Sequence, residues 1–187
     1  RDGRLRHAWR NGTPRDESYL ADHAQVGLGL LELHAASGEL QWMQHARDVA
    51  EAMVERFHVE GDGFYDSEPG VLPVRARDAF DGATPSGTAA ASELLLRLSG
   101  VYERGDWAEI AQRSIERQSE ILERAPSASP ALLLAHLLSE QGADLALPVP
   151  AGALDAARGE FAPLVTIVSG AAGAVALLRG RRAGEAY

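Results

Sequence analysis

Two long helical stripes meet at a two-residue turn, and this constrains the fold more than anything else in the chain. From Glu17 to Ala36, Leu20, Ala24, Gly27, Leu31 and His34 recur at steps of four and three, which places them on one helical face. Ser37 and Gly38 end that stretch. From Glu39 or Leu40 to Phe57 the spacing resumes with Met43, Ala46, Ala50, Met53 and Phe57, and Trp42 and Val49 widen the stripe. Helices joined by so short a turn pack as antiparallel neighbours. A second pair is expected with a helix from Ser86 to Gly100 or Tyr102 and another from Asp106 to Arg124. The latter has Asp106 as its N-cap and an inward stripe of Trp107, Ile110, Ala111, Ser114, Gln118 and Ile121. The turns "ASGELQW" and "YERGDWA" share a Gly, an acidic residue and a Trp, a weak internal repeat. A fifth helix is expected from Ser129 to Glu140, with Pro130 in its first turn.

The fold class that follows is mainly α, built of antiparallel helical hairpins over residues 1–142. Between the two pairs lies "HVEGDGFYDSEPGVLPVRARDAFDGATP", too long for a casual connection. Its Phe64, Tyr65, Val71, Leu72, Val74 and Phe80 predict an ordered, packed loop containing a short β-hairpin. Residues 143–187 are expected to form a small α/β appendix: a strand in "DLALPVP", a short helix in "AGALDAARGEF" and a strand in "PLVTIVSG". "VTIVSGAAGAVALL" is too short and glycine-rich to span a membrane, where ~18 apolar residues are needed, and suits a packed strand and helix.

The formal charge of −9 and the absence of a basic face argue against a nucleic-acid partner. No signal peptide is visible, and the expected location is cytoplasmic. The chain has no cysteine, so thiolate metal sites and thiol chemistry within it are excluded. No His pair has helical metal spacing, and "EGDGFYD" lacks the spacing and closing Glu of a calcium loop, so neither a metal nor a cofactor is expected.

"YLADHAQVGLGLLELHAASGELQW", "GDGFYD" and "VRARDAFDGATPSGTAAASELLLRL" resemble the C-terminal part of the thioredoxin-domain-containing, or spermatogenesis-associated, family. The resemblance runs from Arg1 to about Val168 and is most specific at "DGATPSG". It implies part of an (α/α)6 toroid of the six-hairpin glycosidase type, with roughly half the hairpins present and the family's thioredoxin domain absent. The chain is therefore expected to be a fragment or truncated relative that completes its cut edges with the missing half of the barrel or as a homodimer. Three positions depart from the family pattern: Thr88 and Ala89 stand where Asn-Ser is usual, and His23 where Tyr is usual.

The resemblance puts the opening of the "ATPSGTAAA" helix at a cavity mouth, with Thr84 or Ser86 as its cap and Pro85 at its first turn. Asp22, Asp66, Asp78 and Asp81 are the candidate catalytic carboxylates, because glycoside chemistry needs one protonated and one ionised carboxyl across the scissile bond. His23, Arg75, Thr84, Ser86 and Thr88 are the candidate ligand-binding residues, with Arg75 as a clamp for an anionic group. Each has a plainer reading: Asp81 capping the turn, Asp78 pairing with Arg75 or Arg77, Asp66 serving the hairpin, and His23 packed in the core. Two functions stay open. One is carbohydrate binding or processing in a longer parent, glycosidase-like or sugar-epimerase-like, with the isolated chain inactive. The other is a non-catalytic helical structural or protein-interaction module.

Overall fold

A computed structural model describes residues 5–15, 17–148 and 162–182. The architecture is mainly helical, with short strand pairs at its margins. Helix α1 spans Leu20–Ser37 and α2 spans Leu40–Phe57. Between them Gly38 takes the left-handed conformation, with φ of 75°, and returns its N–H to the His34 carbonyl. The stripes expected on both helices are the buried residues, from Leu20 to His34 on α1 and from Met43 to Phe57 on α2.

Helices α3, Gly87–Tyr102, and α4, Gly105–Glu116, form the second antiparallel pair. Here the left-handed residue is Glu103, with φ of 55°, and not the repeat's glycine. Asp106 is not the N-cap either: Arg104 holds that position, and Asp106 sits in the first turn in a bidentate contact with the Arg104 guanidinium. The helix expected to reach Arg124 ends at Glu116. Gln118 tightens onto the Ile115 carbonyl, and a separate α5, Ser119–Arg124, follows with no buried residue. At this break Arg117 is drawn sideways to the Gly61 carbonyl. Helix α6 spans Pro130–Gln141 and lies against α3.

Helix α1 also packs beside α3, so α1, α3 and α6 make a row backed by α2 and α4. The row is close-packed: a Cβ on Gly27 would come within 2.3 Å of the Leu94 side chain. Leu94, Leu95, Leu98, Trp107 and Phe57 fill the space between the layers. Each pair doubles the chain back on itself, so α1, α3 and α6 begin at the same end of the molecule.

Three small strand pairs complete the fold. Strands β1, Trp9–Arg10, and β2, Thr13–Pro14, are joined by Asn11 and Gly12, both at positive φ as a two-residue hairpin turn requires. Strands β3, His58–Val59, and β4, Gly63–Phe64, form the hairpin expected at the start of the long loop. Strands β5, Ala143–Leu147, and β6, Val165–Ser169, pair in parallel. The helix expected at 151–161 lies outside the described residues. After β6 the expected helix is replaced by turns and a single 3-10 turn, Ala176–Leu178. Gly170 and Gly173 both take positive φ there, which breaks helical continuation. Val168, Val175 and Leu178 close one end of the main core. Among the described residues, no helix is long and apolar enough to cross a membrane.

Candidate functional site

The N-terminal ends of α1 and α3 meet at an open cavity of about 440 Å³. The long loop builds its rim through backbone contacts. Tyr19 bridges Ser67, the Leu20 N–H donates to the Asp66 carbonyl at 3.0 Å, and the Asp66 N–H donates to the Ala76 carbonyl at 2.9 Å. Asp66 is thereby fixed at the mouth of α1, where it satisfies a free helical N–H with its own backbone. Its Oδ2 accepts the Asp78 N–H at 2.7 Å. Burial pushes the Asp66 carboxyl above its ordinary range; the bond from Asp78 opposes this, and the Asp78 charge adds to it. Asp78 is exposed and accepts the Phe80 N–H at 3.1 Å. Asp22, in the first turn of α1, meets His7 Nδ1 at 2.9 Å.

Of the residues singled out in the sequence, Asp22, Asp66, Asp78, Thr84 and Ser86 line this one cavity. Thr84 is exposed on the rim and does not cap α3. Ser86 does, accepting the Ala89 N–H at 3.3 Å, which leaves Pro85 ahead of the helix and not in its first turn.

The other four candidates lie elsewhere. Both oxygens of Asp81 are occupied by backbone donors, Ser86 N–H at 2.8 Å and Ala131 N–H at 2.7 Å. One carboxylate thus ties the start of α3 to the start of α6. His23 is fully buried; its Nδ1 donates to the Tyr19 carbonyl at 3.0 Å and its Nε2 accepts the Leu5 N–H at 3.2 Å. With both ring nitrogens engaged, it has no free position for a ligand. Arg75 donates Nε to the Ser67 carbonyl at 2.8 Å and stacks on Tyr65 at 4.1 Å. Arg77 covers the other Tyr65 face at 3.9 Å and pairs with Asp62, so it is not the partner of Asp78. Thr88 is buried on α3 and faces a different cavity of about 340 Å³ beside the α4–α5 junction.

The loop's apolar residues also divide. Phe64 is buried, whereas Val74 is 79% exposed and Phe80 is 51% exposed. Phe80 is not wasted surface, because it lines the cavity beside the carboxylates. Sequence reasoning missed its role, together with those of His7 and Tyr19. No periodicity links His7 to Asp22; only the fold of the N-terminal segment brings them together.

A larger cavity, about 710 Å³, lies between the β3–β4 hairpin and α4. Within its lining Glu109 pairs with Arg113, while Asp106 and Asp62 pair with Arg104 and Arg77 outside it. No candidate residue from the sequence lines it.

No family model matches the chain. Curated proteins do. Rat spermatogenesis-associated protein 20 is 33% identical over 129 residues, covering 66% of this chain and 16% of the relative. The human protein of the same name is 33% identical over 127 residues, with 66% and 16% covered. An uncharacterized Caenorhabditis elegans protein is 29% identical over 126 residues, covering 66% of this chain and 17% of its own length. The chain is thus homologous to spermatogenesis-associated protein 20 across about 66% of its length, and spans about 16% of the length of these mammalian relatives.

Proposed function

We propose that the chain is a segment of a spermatogenesis-associated type protein, and that the cavity at the α1 and α3 N-termini binds a carbohydrate-like small molecule. The row of α1, α3 and α6 would be an arc of an (α/α)6 toroid, with its helix N-termini facing the ligand. The observation that carries the binding reading is the pairing of an exposed aromatic face with carboxylates on one cavity rim. Phe80 offers an apolar platform, and Asp66 and Asp22 offer acceptors for ligand hydroxyls. A pocket so equipped suits a polyhydroxylated ring, apolar on its faces and polar on its edge.

The test is a titration of the chain with a panel of monosaccharides and disaccharides, read by proton–nitrogen chemical-shift maps. Shifts confined to the amides of residues 19–22, 66, 78–80, 84, 86 and 87, weakened at least tenfold in Phe80→Ala, support the reading. Absence of shifts across the panel up to tens of millimolar would leave the structural-module reading, in which the cavity is only a by-product of loop packing.

A further inference from the structure

The β1–β2 hairpin carries the opposite charge to the chain as a whole. Residues 5–15 hold Arg6, Arg10 and Arg15 and no carboxylate, in a sequence of formal charge −9. The Arg15 N–H donates to the Ala8 carbonyl at 2.8 Å, which extends the ladder past the Trp9–Pro14 pair. Successive strand residues project to opposite faces, so Trp9 shares one face with Pro14, and Arg10 and Arg15 share the other. Trp9 is 71% exposed. Arg10 and Arg15 are exposed too, and neither has an ionic partner among the described residues. A Trp held away from the core between free arginines adds nothing to packing. These are the side chains that most often dominate a contact between proteins.

A surface of complementary charge lies elsewhere on the same chain. The cavity of about 710 Å³ between the β3–β4 hairpin and α4 is lined by five carboxylates and two arginines. Three of the carboxylates pair with arginines, but Glu60 and Glu116 are exposed and do not. Ile110 gives the wall an apolar part. The lining runs from Asp106 in the first turn of α4 to Glu116 at its end, ~15 Å at the helical rise, and the two strands of a hairpin lie only ~5 Å apart. The chain's own hairpin does not enter: His7 is held at the start of α1 by the Glu17 carbonyl and Asp22, and no residue of 5–15 lines the cavity.

We propose that the β1–β2 hairpin of one copy seats in this cavity of a second copy. Trp9 packs against Ile110 of the partner subunit, and Arg10 and Arg15 meet Glu60 and Glu116 of the partner subunit. The contact joins two unlike surfaces, and used twice about a two-fold axis it closes a dimer. Burial of the indole supplies affinity, while the opposite charges set register and rate of association. Two chains of charge −9 repel each other in most other orientations, which favours the one in which a basic hairpin faces an acidic cavity. Trp9, Arg10 and Arg15 do not line the cavity of Asp22 and Asp66, so the inference stands apart from the carbohydrate reading.

The experiment is sedimentation velocity of the 187-residue chain over roughly 5–200 µM, in about 0.1 M and about 1 M salt, between which the screening length falls from ~10 Å to ~3 Å. The mean mass is expected to rise with concentration from 19.9 kDa toward that of a dimer, and to rise less in high salt. Trp9→Ala is expected to weaken association by about tenfold or more, as loss of a central Trp does. Arg10→Glu/Arg15→Glu and Glu60→Arg/Glu116→Arg are each expected to stay monomeric, because like charges then face each other at both contacts. An equimolar mixture of these two double variants is expected to dimerise, since each hairpin again meets a cavity of opposite sign. Misfolding of either variant would not produce that rescue. A mass of 19.9 kDa over the whole range overturns the inference, and so does association that Trp9→Ala leaves unchanged. Double variants that associate alone, or that gain nothing on mixing, place the interface elsewhere and overturn it as well.

Discussion

The two helical pairs and the loop that joins them solve the same problem by different means. Between α1, α2, α3 and α4, order comes from apolar side chains repeated at helical spacing and interlocked closely enough that Gly27 has no room for a methyl group beside Leu94. Between residues 58 and 86, order comes from a few polar atoms that each hold backbone from a distant segment. Asp81 reaches Ala131, Ser129 Oγ donates to the Ala79 carbonyl at 2.7 Å, and the Asp66 backbone closes α1. Packing distributes its stabilisation over many weak contacts, whereas the loop concentrates it in a few. The cavity stands on the loop side of this division, which leaves its rim free of the dense packing that would exclude a ligand.

The sharpest way to separate the two regions is to damage the packed one. Leu94 is fully buried and touches the Gly27 position, so Leu94→Ala opens a cavity in the layer between α1 and α3. The expected loss is about 3–5 kcal/mol, measured by urea unfolding at constant m-value. Loop amides should keep their native chemical shifts under folding conditions. If the shifts of residues 66–86 move with this variant, the two regions are one unit and the division fails.

On the loop side, Asp81→Ala removes a carboxylate that serves two helix starts at once. A lost cap costs about 0.5–2 kcal/mol, so about 1–3 kcal/mol is expected, with hydrogen exchange accelerated at Ser86 and Ala131 together. Exchange raised at only one of these amides would show that the bridge is not shared.

That difference in means also decides what could be read from residues alone. The stripes of α1 and α2 were legible because burial repeats every three to four positions, and His34 falls on the stripe as a buried residue. The end of α4 was not, because Gln118 and Ile121 continue the period while Arg117 leaves it for the Gly61 carbonyl. In the site, the carboxylates were visible by type and proximity to one helix start. Their division of labour was half legible: Asp81 capping its turn was the plainer reading of "DGATP" and backbone donors do occupy it, whereas nothing in "GDGFYD" shows that Asp66 is held at the cavity. Phe80 was expected to seek the core, since apolar type says nothing of whether a loop residue turns inward or toward a cavity.

A change of pH probes two polar contacts that tie α1 to segments outside the loop, the N-terminal stretch and β6. His23 ties the N-terminal segment to α1 through the Leu5 N–H, and His34 ties β6 to α1 through the Ser169 N–H at 3.2 Å. Burial lowers the proton affinity of both below the ordinary value of 6.5, against a weaker opposing effect of the carbonyls each one faces. The unfolded chain therefore binds protons first. The stabilisation is complete above about pH 6.5 and declines as pH falls from there toward the lowered native values. Urea midpoints should fall between pH 7 and 5.5, and the slope should flatten in His23→Gln/His34→Gln. A wild-type midpoint unchanged over that interval would contradict the neutral, doubly bonded imidazoles.

The smallest effect carries the opposite sign. Asp66 is a carboxyl whose native proton affinity is raised by burial, so its ionised form is disfavoured relative to the unfolded chain. The cost is absent below the ordinary carboxylate value of 3.8 and fully present once pH exceeds the raised native one. Asp66→Asn removes that cost and keeps an oxygen for the Asp78 N–H, so at pH 7 it should stabilise slightly, by less than about 1 kcal/mol because the group is half-exposed. Asp81→Asn should do the reverse. Two N–H groups claim its two oxygens, and the amide presents only one acceptor, turning its own donors against the second N–H. A residue stabilised by its removal is retained for something other than folding, whereas one whose conservative replacement destabilises is explained by the fold itself. Matched urea titrations of the two Asn variants at pH 7 make the distinction. If Asp66→Asn destabilises as Asp81→Asn does, Asp66 is another structural clamp and not a residue kept for the cavity.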